Sequence, residues 1–236
     1  MSSDLAAAGL GAAACGVGAL GVPTLISRIP EPASAEPGDP PRYAPVATRP
    51  GLARRAVVVA AVCGAVVGAS VGMSWPLLYL LPLVPVAVAL GIVDLHTHLL
   101  PTRVIWPALA VTAVLALVAA LLDDDLDAVV RAAICGVVLF ACFHALWWLH
   151  PAGMGYGDVR LSALVGFALG YLGRLELLVG VYAAFVVFAL LGLVRAVVRR
   201  DRGALRTALP FGPFLLGGAL VGVAVGGYVW SSLVSG

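Results

Sequence analysis

The chain has 236 residues, of which 62% are hydrophobic and 11% are charged, and its mean hydropathy is +1.07. A soluble domain of mixed core and surface does not sustain these values, so lipid is the solvent for most of this chain. The basic residues are all arginines that lie between apolar runs. The net charge of +2 therefore bears on membrane orientation rather than on nucleic acid binding.

Eight apolar runs approach the length of about 20 residues that crosses the hydrocarbon core of a bilayer. They span residues 5–27, 56–73, 75–93, 104–122, 128–149, 160–174, 177–198 and 209–233. The first run has no basic residue before it and is longer than a signal core, so we expect an uncleaved anchor. The run at 160–174 is short, which predicts a thinned or partly buried span. The sequence thus predicts an all-α fold, a polytopic membrane bundle of about eight transmembrane helices.

The chain divides into an N-terminal transmembrane anchor at 1–27, a linker at 28–55 and a helical membrane domain at 56–236. The linker is rich in proline and arginine and has few residues that could build a core, so we expect it to be extended and mobile. Within the membrane domain, glycine pairs at 217–218 and 226–227 predict close contacts between helices.

The distribution of charge predicts the orientation of the bundle. With the linker in the cytoplasm, all arginines except Arg131 and Arg174 lie at or near the cytoplasmic side. The acidic residues between 123 and 127 then lie on the outer side with Glu176. This arrangement agrees with the positive-inside rule and places both termini outside.

Two aspartates, Asp94 and Asp158, lie at the ends of apolar runs, unlike the acidic residues of the loops. A carboxylate at the centre of a membrane helix costs roughly 2.5 to 3.5 kcal/mol, so an aspartate near membrane depth usually has a function. Two complete runs, 104–122 and 128–149, separate the pair, and an even number of crossings returns the chain to the same side. Both aspartates are therefore predicted to face the cytoplasm at similar depth.

Two carboxylates that approach one water molecule do not both ionise easily, so such a pair shares a proton and offers a base and an acid together. The ionised member can take a proton from water as it attacks a peptide carbonyl, while the protonated member donates to the carbonyl oxygen. In a structural alternative, the aspartates cap helices or pair with Arg103 and Arg160. A metal site is another alternative, because Asp94, His96 and His98 form a D-x-H-x-H string.

A glycine-rich segment, G-M-G-Y-G-D, leads into Asp158. Gly153, Gly155 and Gly157 remove side chains where the backbone would meet a substrate strand, and they permit unusual backbone dihedral angles. The segment lacks the G-K-[ST] ending and the preceding strand of a phosphate-binding loop, which argues against nucleotide binding.

Three motifs, in order within residues 75–220, resemble those of the prepilin peptidases, the type IV prepilin leader peptidases among the GxGD intramembrane aspartyl proteases. They are Val93-Asp94 followed by Leu100-Pro101, Gly155-Tyr156-Gly157-Asp158 followed by Arg160, and Pro210-Phe211-Gly212-Pro213. Three motifs together are much more specific than any one of them.

The resemblance implies a membrane-embedded aspartyl endopeptidase that cleaves the leader of prepilin-like precursors (type IV, Flp-type or pseudopilin) at the cytoplasmic face of a prokaryotic plasma membrane. It assigns catalysis to Asp94 and Asp158, without a metal or cofactor, and makes 56–236 the peptidase domain. The partners it implies are these precursors and the lipid bilayer, not nucleic acid. The residues it assigns to substrate binding or loop shape are Gly153, Gly155, Gly157, Arg160, Pro101, Pro210, Phe211, Gly212 and Pro213.

The chain departs from the family pattern in two places. Arg160 stands where the family usually has a lysine, and an arginine keeps the charge but does not easily give up its proton. The linker stands where bifunctional members carry a cysteine-rich, zinc-binding region with N-methyltransferase activity, and no cysteine lies between Cys15 and Cys63. We therefore expect a short form without methylation. Two other functions stay open: a small proton- or cation-coupled transporter, and an inactive pilin-binding relative.

Overall fold

The structure, a computed structural model, describes residues 2–31, 42–151, 154–199 and 210–234. Every regular element in these residues is helical, and no strand occurs among them. The predicted all-α class is therefore confirmed.

The helices correspond in order to the eight predicted runs, with one short helix added in the linker. They are α1 Ser2–Gly18, α2 Val22–Ser27, α3 Ala44–Ala47, α4 Leu52–Val71, α5 Leu77–Thr97, α6 Thr102–Asp123, α7 Leu126–Leu149, α8 Tyr156–Leu172, α9 Arg174–Arg199 and α10 Gly212–Val234. A 3-10 turn at Ala19–Gly21 joins α1 to α2, so that the two form one rod.

The helices are long and apolar enough to make the chain a multi-pass membrane protein. Within the described residues, six segments could each cross a bilayer by length and composition. These are Ser3–Ser27, Leu52–Val71, Leu77–Thr97, Thr102–Asp123, Leu126–Leu149 and Arg174–Arg195. The remaining two predicted runs correspond to α8, which has 17 residues, and to α10, Gly212–Val234, which has 23.

Helix α8 lies at the centre of the bundle, and residues 161–171 of it are all buried. Helices α6, α7, α9 and α10 pack against it. Arg131 of α7 donates hydrogen bonds to the carbonyl oxygens of Gly170 and Tyr171, at 3.0 and 2.6 Å, which satisfies carbonyls at the end of α8. Because protein rather than lipid surrounds α8, this helix does not need the length of a lipid-exposed span.

The linker is folded in its described parts, whereas its composition predicts an extended chain. Tyr43 and Val46 are buried, with 4% and 3% of their surface exposed, and α3 packs against α2. Helix α4 begins at Leu52, inside the segment that the sequence assigns to the linker. Residues 32–41 lie outside the described residues.

Helices α9 and α10 approach each other at glycines. A Cβ atom on Gly218 would overlap the carbonyl oxygen of Gly180, and one on Gly226 would lie 2.6 Å from the Cα atom of Glu176. Nothing lies within 4 Å of the place that a Cβ atom on Gly217 would take. Of the 217–218 pair, only the second glycine is therefore needed for the close contact.

We predict that Gly218→Ala destabilises the protein by about 1 to 3 kcal/mol, because the added methyl group would overlap the backbone of α9. Gly217→Ala on the same helix is the control, and we expect it to change stability by less than about 1 kcal/mol. The midpoint of unfolding by sodium dodecyl sulfate in mixed micelles measures both variants. Equal unfolding midpoints for Gly218→Ala and Gly217→Ala would contradict this packing of α9 on α10.

Candidate active site

Asp94 lies in the last turn of α5, and only 4% of it is exposed. The amide of His98 donates to the Asp94 carbonyl oxygen at 2.9 Å, and His98 then takes a left-handed conformation with a φ of 55° that ends the helix. The side chain of Asp94 accepts a hydrogen bond through Oδ2 from the Gly212 amide, at 3.1 Å. Gly212 is the first residue of α10, so the Asp94 carboxylate joins the end of α5 to the start of α10.

Asp158 lies in the first turn of α8 and is 6% exposed. Its amide donates to the carbonyl oxygen of Gly155 at 3.0 Å, and Gly155 is the extended residue that precedes the helix. Oδ1 of Asp158 is buried and has no hydrogen-bond partner among the described residues. A buried carboxylate oxygen of this kind retains its full capacity to accept a hydrogen bond from water or substrate.

Leu100 lies between the two segments that hold the aspartates. A Cβ atom on Gly157 would lie 2.6 Å from Cβ of Leu100, and one on Gly212 would lie 3.2 Å from Cδ1 of the same leucine. The Asp94 and Asp158 side chains are close enough for the charge of one to act on the other. Leu100 and the absence of side chains at the two glycines therefore bring the three sequence motifs to one place.

Phe211 anchors the third motif. Its ring is 5% exposed and lies 5.9, 5.1 and 5.2 Å, between centroids, from the rings of Phe143, Phe185 and Phe188. These partners come from α7 and α9, so the aromatic cluster fixes the entry to α10 and with it the Gly212 amide. Pro210 and Pro213 flank this contact and are partly buried.

Arg160 points away from the aspartates and toward the start of α6. Its Nη1 donates to Oγ1 of Thr102, and its guanidinium carbon lies 4.5 Å from the centroid of the Tyr156 ring. Tyr156 in turn packs edge-on against Trp147 of α7, with centroids 4.8 Å apart. In the part of the chain that the structure describes, neither aspartate forms an ion pair with Arg160 or Arg103.

The histidines lie near helix ends and in one aromatic cluster. His96 is exposed, and its Nδ1 lies 2.8 Å from the carbonyl oxygen of Ile92. His144 packs against the rings of Phe140, Trp147 and Tyr156. Across the described ranges, no group of three or more histidine, cysteine, aspartate or glutamate side chains is placed to hold a metal ion.

The structure brings together most of the residues that the sequence singles out. Pro101 is buried and precedes α6, directly after Leu100. A Cβ atom on Gly155 would lie 3.5 Å from Oδ2 of Asp158, an ordinary contact. Gly153 lies outside the described residues.

Sequence reasoning did not identify two residues near the site, Thr102 and Tyr43. Thr102 follows the Leu100-Pro101 motif directly, and the spacing of that motif gives no sign that Arg160 would reach it. Tyr43 lies close enough to Asp94 for that charge to act on its phenol group. A lone aromatic residue in a proline-rich linker was the one available signal for Tyr43.

Fold and site together define a class: multi-pass helical membrane proteins with two buried aspartates, held at helix ends, that interact with each other. The sequence profile of the type IV leader peptidase family matches residues 81–197. The chain belongs to this family.

Curated relatives agree with this membership. The chain is 32% identical over 169 residues to "Prepilin leader peptidase/N-methyltransferase" of Pseudomonas putida, which covers 68% of this chain and 54% of the relative. It is 33% identical over 107 residues to "Leader peptidase HopD" of Escherichia coli, covering 42% of this chain and 61% of the relative. A "Prepilin leader peptidase/N-methyltransferase" of Bacillus subtilis is 29% identical over 173 residues, and this match covers 72% of this chain and 65% of the relative. No solved structure matches the chain significantly.

The chain thus spans only part of these relatives, 54% to 65% of their lengths.

We predict that Gly157→Ala destabilises the protein by about 1 to 3 kcal/mol, because the new methyl group would crowd Leu100. Gly155→Ala is the matched control with a smaller effect, since its methyl group makes an ordinary contact. Thermal unfolding in detergent measures both. Combining Gly157→Ala with Leu100→Gly should relieve the clash, because Leu100→Gly removes the Cβ atom that the new methyl group meets, with a coupling free energy of at least about 0.5 kcal/mol. Strictly additive effects would show that the two residues do not touch.

Proposed function

We propose that the chain is an aspartic-type endopeptidase that removes N-terminal leaders from prepilin-like precursors. The observation that carries this proposal is the convergence of three separate motifs on two buried, interacting aspartates. Membership of the type IV leader peptidase family supports the reaction class, and the printed names of the relatives support prepilin precursors as substrates.

In the proposed reaction, Asp94 and Asp158 share one proton across a water molecule. The ionised carboxylate takes a proton from the water, whose oxygen attacks the carbonyl carbon of the scissile peptide bond. The other carboxyl group gives its proton to the carbonyl oxygen, which produces a tetrahedral diol. The protonated carboxyl group then gives its proton to the amide nitrogen while the other carboxylate takes a proton from a diol hydroxyl, so that the carbon–nitrogen bond breaks and the leader leaves with a new carboxyl group. The Gly212 amide occupies Oδ2 of Asp94 and so limits how this carboxylate can turn.

The loop and turn residues are proposed to shape the substrate path. Gly155 presents backbone without a side chain next to Asp158, which gives an extended substrate room to approach, whereas Gly157 shapes the loop by accepting Leu100 against its backbone. Phe211 holds Gly212 against Asp94 through its aromatic partners. Pro101, Pro210 and Pro213 restrict the backbone at the entries to α6 and α10.

The proposed placement puts this site at the cytoplasmic face of a prokaryotic plasma membrane. The anchor at 1–27, the linker at 28–55 and the peptidase domain at 56–236 are then consecutive parts of one membrane protein. The arginine distribution supports this orientation, because the linker and both aspartates fall on the arginine-rich side. A proton-coupled transporter is less well supported, since both aspartates occupy helix ends rather than the middle of the spans.

We predict that Asp94→Asn and Asp158→Asn each lower leader cleavage by about 100- to 10,000-fold, because each variant removes one partner of the proton exchange. The assay uses purified protein in detergent and a tagged pilin precursor, with products separated by gel electrophoresis. Asp127→Asn, an exposed acidic residue in the first turn of α7, is the control that keeps full activity. Undiminished cleavage by either variant would overturn the proposal. Precursor binding without cleavage by the unmodified chain would instead indicate an inactive pilin-binding relative.

A second prediction concerns Arg160, which we propose acts by positioning the loop before α8. Arg160→Lys keeps the charge and a donor for Thr102 and should retain cleavage within about threefold, whereas Arg160→Ala should lose about tenfold. Arg103→Ala, which changes an exposed neighbour of Thr102, is the control without effect. The same cleavage assay measures all three. If Arg160→Lys cleaves more than about tenfold faster than the unmodified chain, the side chain at this position must lose a proton during the reaction, which would contradict a positioning role.

A further inference from the structure

The described part of the linker is largely exposed, but three of its side chains pack against the helices. Ile29, Tyr43 and Val46 are 8%, 4% and 3% exposed and belong to one hydrophobic cluster. The same cluster includes Ile26 of α2 and Val93, the residue before Asp94. We call residues 29–31 and 42–51 the linker strap.

A single carboxylate closes the linker strap. The Glu31 side chain accepts hydrogen bonds from the backbone amides of Arg42, Tyr43 and Ala44, at 2.8, 3.0 and 3.4 Å. These amides lie at the start of α3, where helix geometry leaves them without internal partners. We call this contact the Glu31 clip. It holds the two parts of the strap together, although Glu31 and Arg42 are 11 positions apart in the sequence.

The clip is intact at neutral pH. Partial burial opposes ionisation of Glu31, but the three amide hydrogen bonds and the nearby Arg42 charge outweigh it and lower the pKa of this carboxyl group. A lowered pKa means that the clip's contribution is present above the ordinary glutamate pKa, about 4.3, and is lost as pH falls through the lowered value.

Tyr43 joins the strap to the candidate active site. Its ring packs in the cluster that contains Val93, and its phenol lies within the influence of the Asp94 charge. Burial raises the pKa of Tyr43, the Glu31 and Asp94 charges add to this rise, and Arg42 opposes it. The phenol is therefore neutral at physiological pH, and a neutral aromatic group packs in the same buried cluster as the residue that precedes Asp94.

We propose that Tyr43, held in place by the Glu31 clip, is a positioning residue of the active site that closes the linker side of Asp94 and limits the access of water to it. The inference rests on the proposed peptidase function. Uncontrolled water at Asp94 would compete with the one water that the aspartates must share, so the strap affects the chemical step rather than substrate affinity. The groups that interact with Asp94 by charge or hydrogen bond are His98 at the end of its own helix, Asp158 from α8 and the Gly212 amide from α10, and the Asp94 charge in turn acts on Tyr43 of the strap.

The kinetic test compares Tyr43→Ala with Tyr43→Phe in the precursor-cleavage assay, using the full chain. We expect Tyr43→Ala to lower kcat about 10- to 100-fold with KM within about threefold, and to move one limb of the pH profile of kcat by at least about 0.5 pH units. Tyr43→Phe keeps the ring, so its kcat should stay within about threefold of the kcat of the unmodified chain. Tyr182→Ala, at a tyrosine of α9 that is 72% exposed, is the control for losing a tyrosine away from the site.

A loss of kcat with an unchanged pH profile would show a merely structural role for Tyr43 and would overturn the inference, as would an unchanged kcat. Both of these results for Tyr43→Ala are compatible with the peptidase function, provided that the unmodified chain cleaves the precursor and Asp94→Asn does not. Failure of the unmodified chain to cleave any precursor would count against the function itself.

The clip is tested without activity by labelling with a membrane-impermeant maleimide at pH 7. Val46→Cys places a thiol at a buried strap position, and Arg49→Cys places one at an exposed strap position. We expect Glu31→Ala to raise the labelling rate at position 46 at least about tenfold and to leave position 49 unchanged. Equal rates at position 46 with and without Glu31→Ala would show that the clip does not hold the strap, and would overturn the inference whatever the kinetic result.

Discussion

The hydrogen bond from the Gly212 amide to the Asp94 carboxylate joins two helices whose contacting residues are 118 positions apart. The first amides of a helix have no acceptor within the helix, and this hydrogen bond supplies one for the Gly212 amide. It also supplies a donor for the buried Asp94 carboxylate. The glycine at 212 leaves room for this contact, because a Cβ atom there would lie 2.5 Å from Oδ2 of Asp94 and the carboxylate would have to shift. The Phe211 cluster fixes this amide, so packing between α7 and α9 controls the position of an aspartate on α5.

The burial of α8 explains how a second aspartate can be held opposite the first. A lipid-exposed helix that began with Asp158 would draw the carboxylate toward water, but α8 is enclosed by other helices along residues 161–171. Its first turn therefore lies inside protein, and Leu100 sets the separation between this turn and the start of α10. The site thus depends on helix ends that meet within the bundle, where the backbone can supply hydrogen-bond donors that a helix middle lacks.

Much of this arrangement was predictable from the sequence. Hydropathy identified the spans, because lipid requires long apolar runs, and the shortness of the 160–174 run indicated the buried helix α8. Counting spans placed Asp94 and Asp158 on one side, and the three motifs identified the segments that converge. Contacts that depend on three-dimensional packing were not predictable. Composition favoured an extended linker, whereas Tyr43 is buried through partners on α2 and α5 that no local pattern reveals.

The same limit applies to side-chain direction. Glycine pairs at 217–218 and 226–227 signalled close helix contacts, but the helical periodicity alone did not say which member of 217–218 faces α9. Arg160 follows Asp158 by two positions, and residues at that spacing on a helix point to different sides. Arg160 accordingly reaches Thr102 and the Tyr156 ring rather than the carboxylate. A resemblance between motifs identifies such a residue, while helix geometry decides what it touches.

Helix ends also make the surroundings of the two aspartates unequal. Asp158 lies in the first turn of α8, where the helix dipole favours a negative charge. Asp94 lies in the last turn of α5, where the dipole disfavours one, and the start of α10 opposes that effect through the Gly212 amide. Two identical side chains therefore experience different fields and carry different hydrogen bonds. In the proposed reaction, this inequality favours one division of the shared proton between the two carboxyl groups over the other.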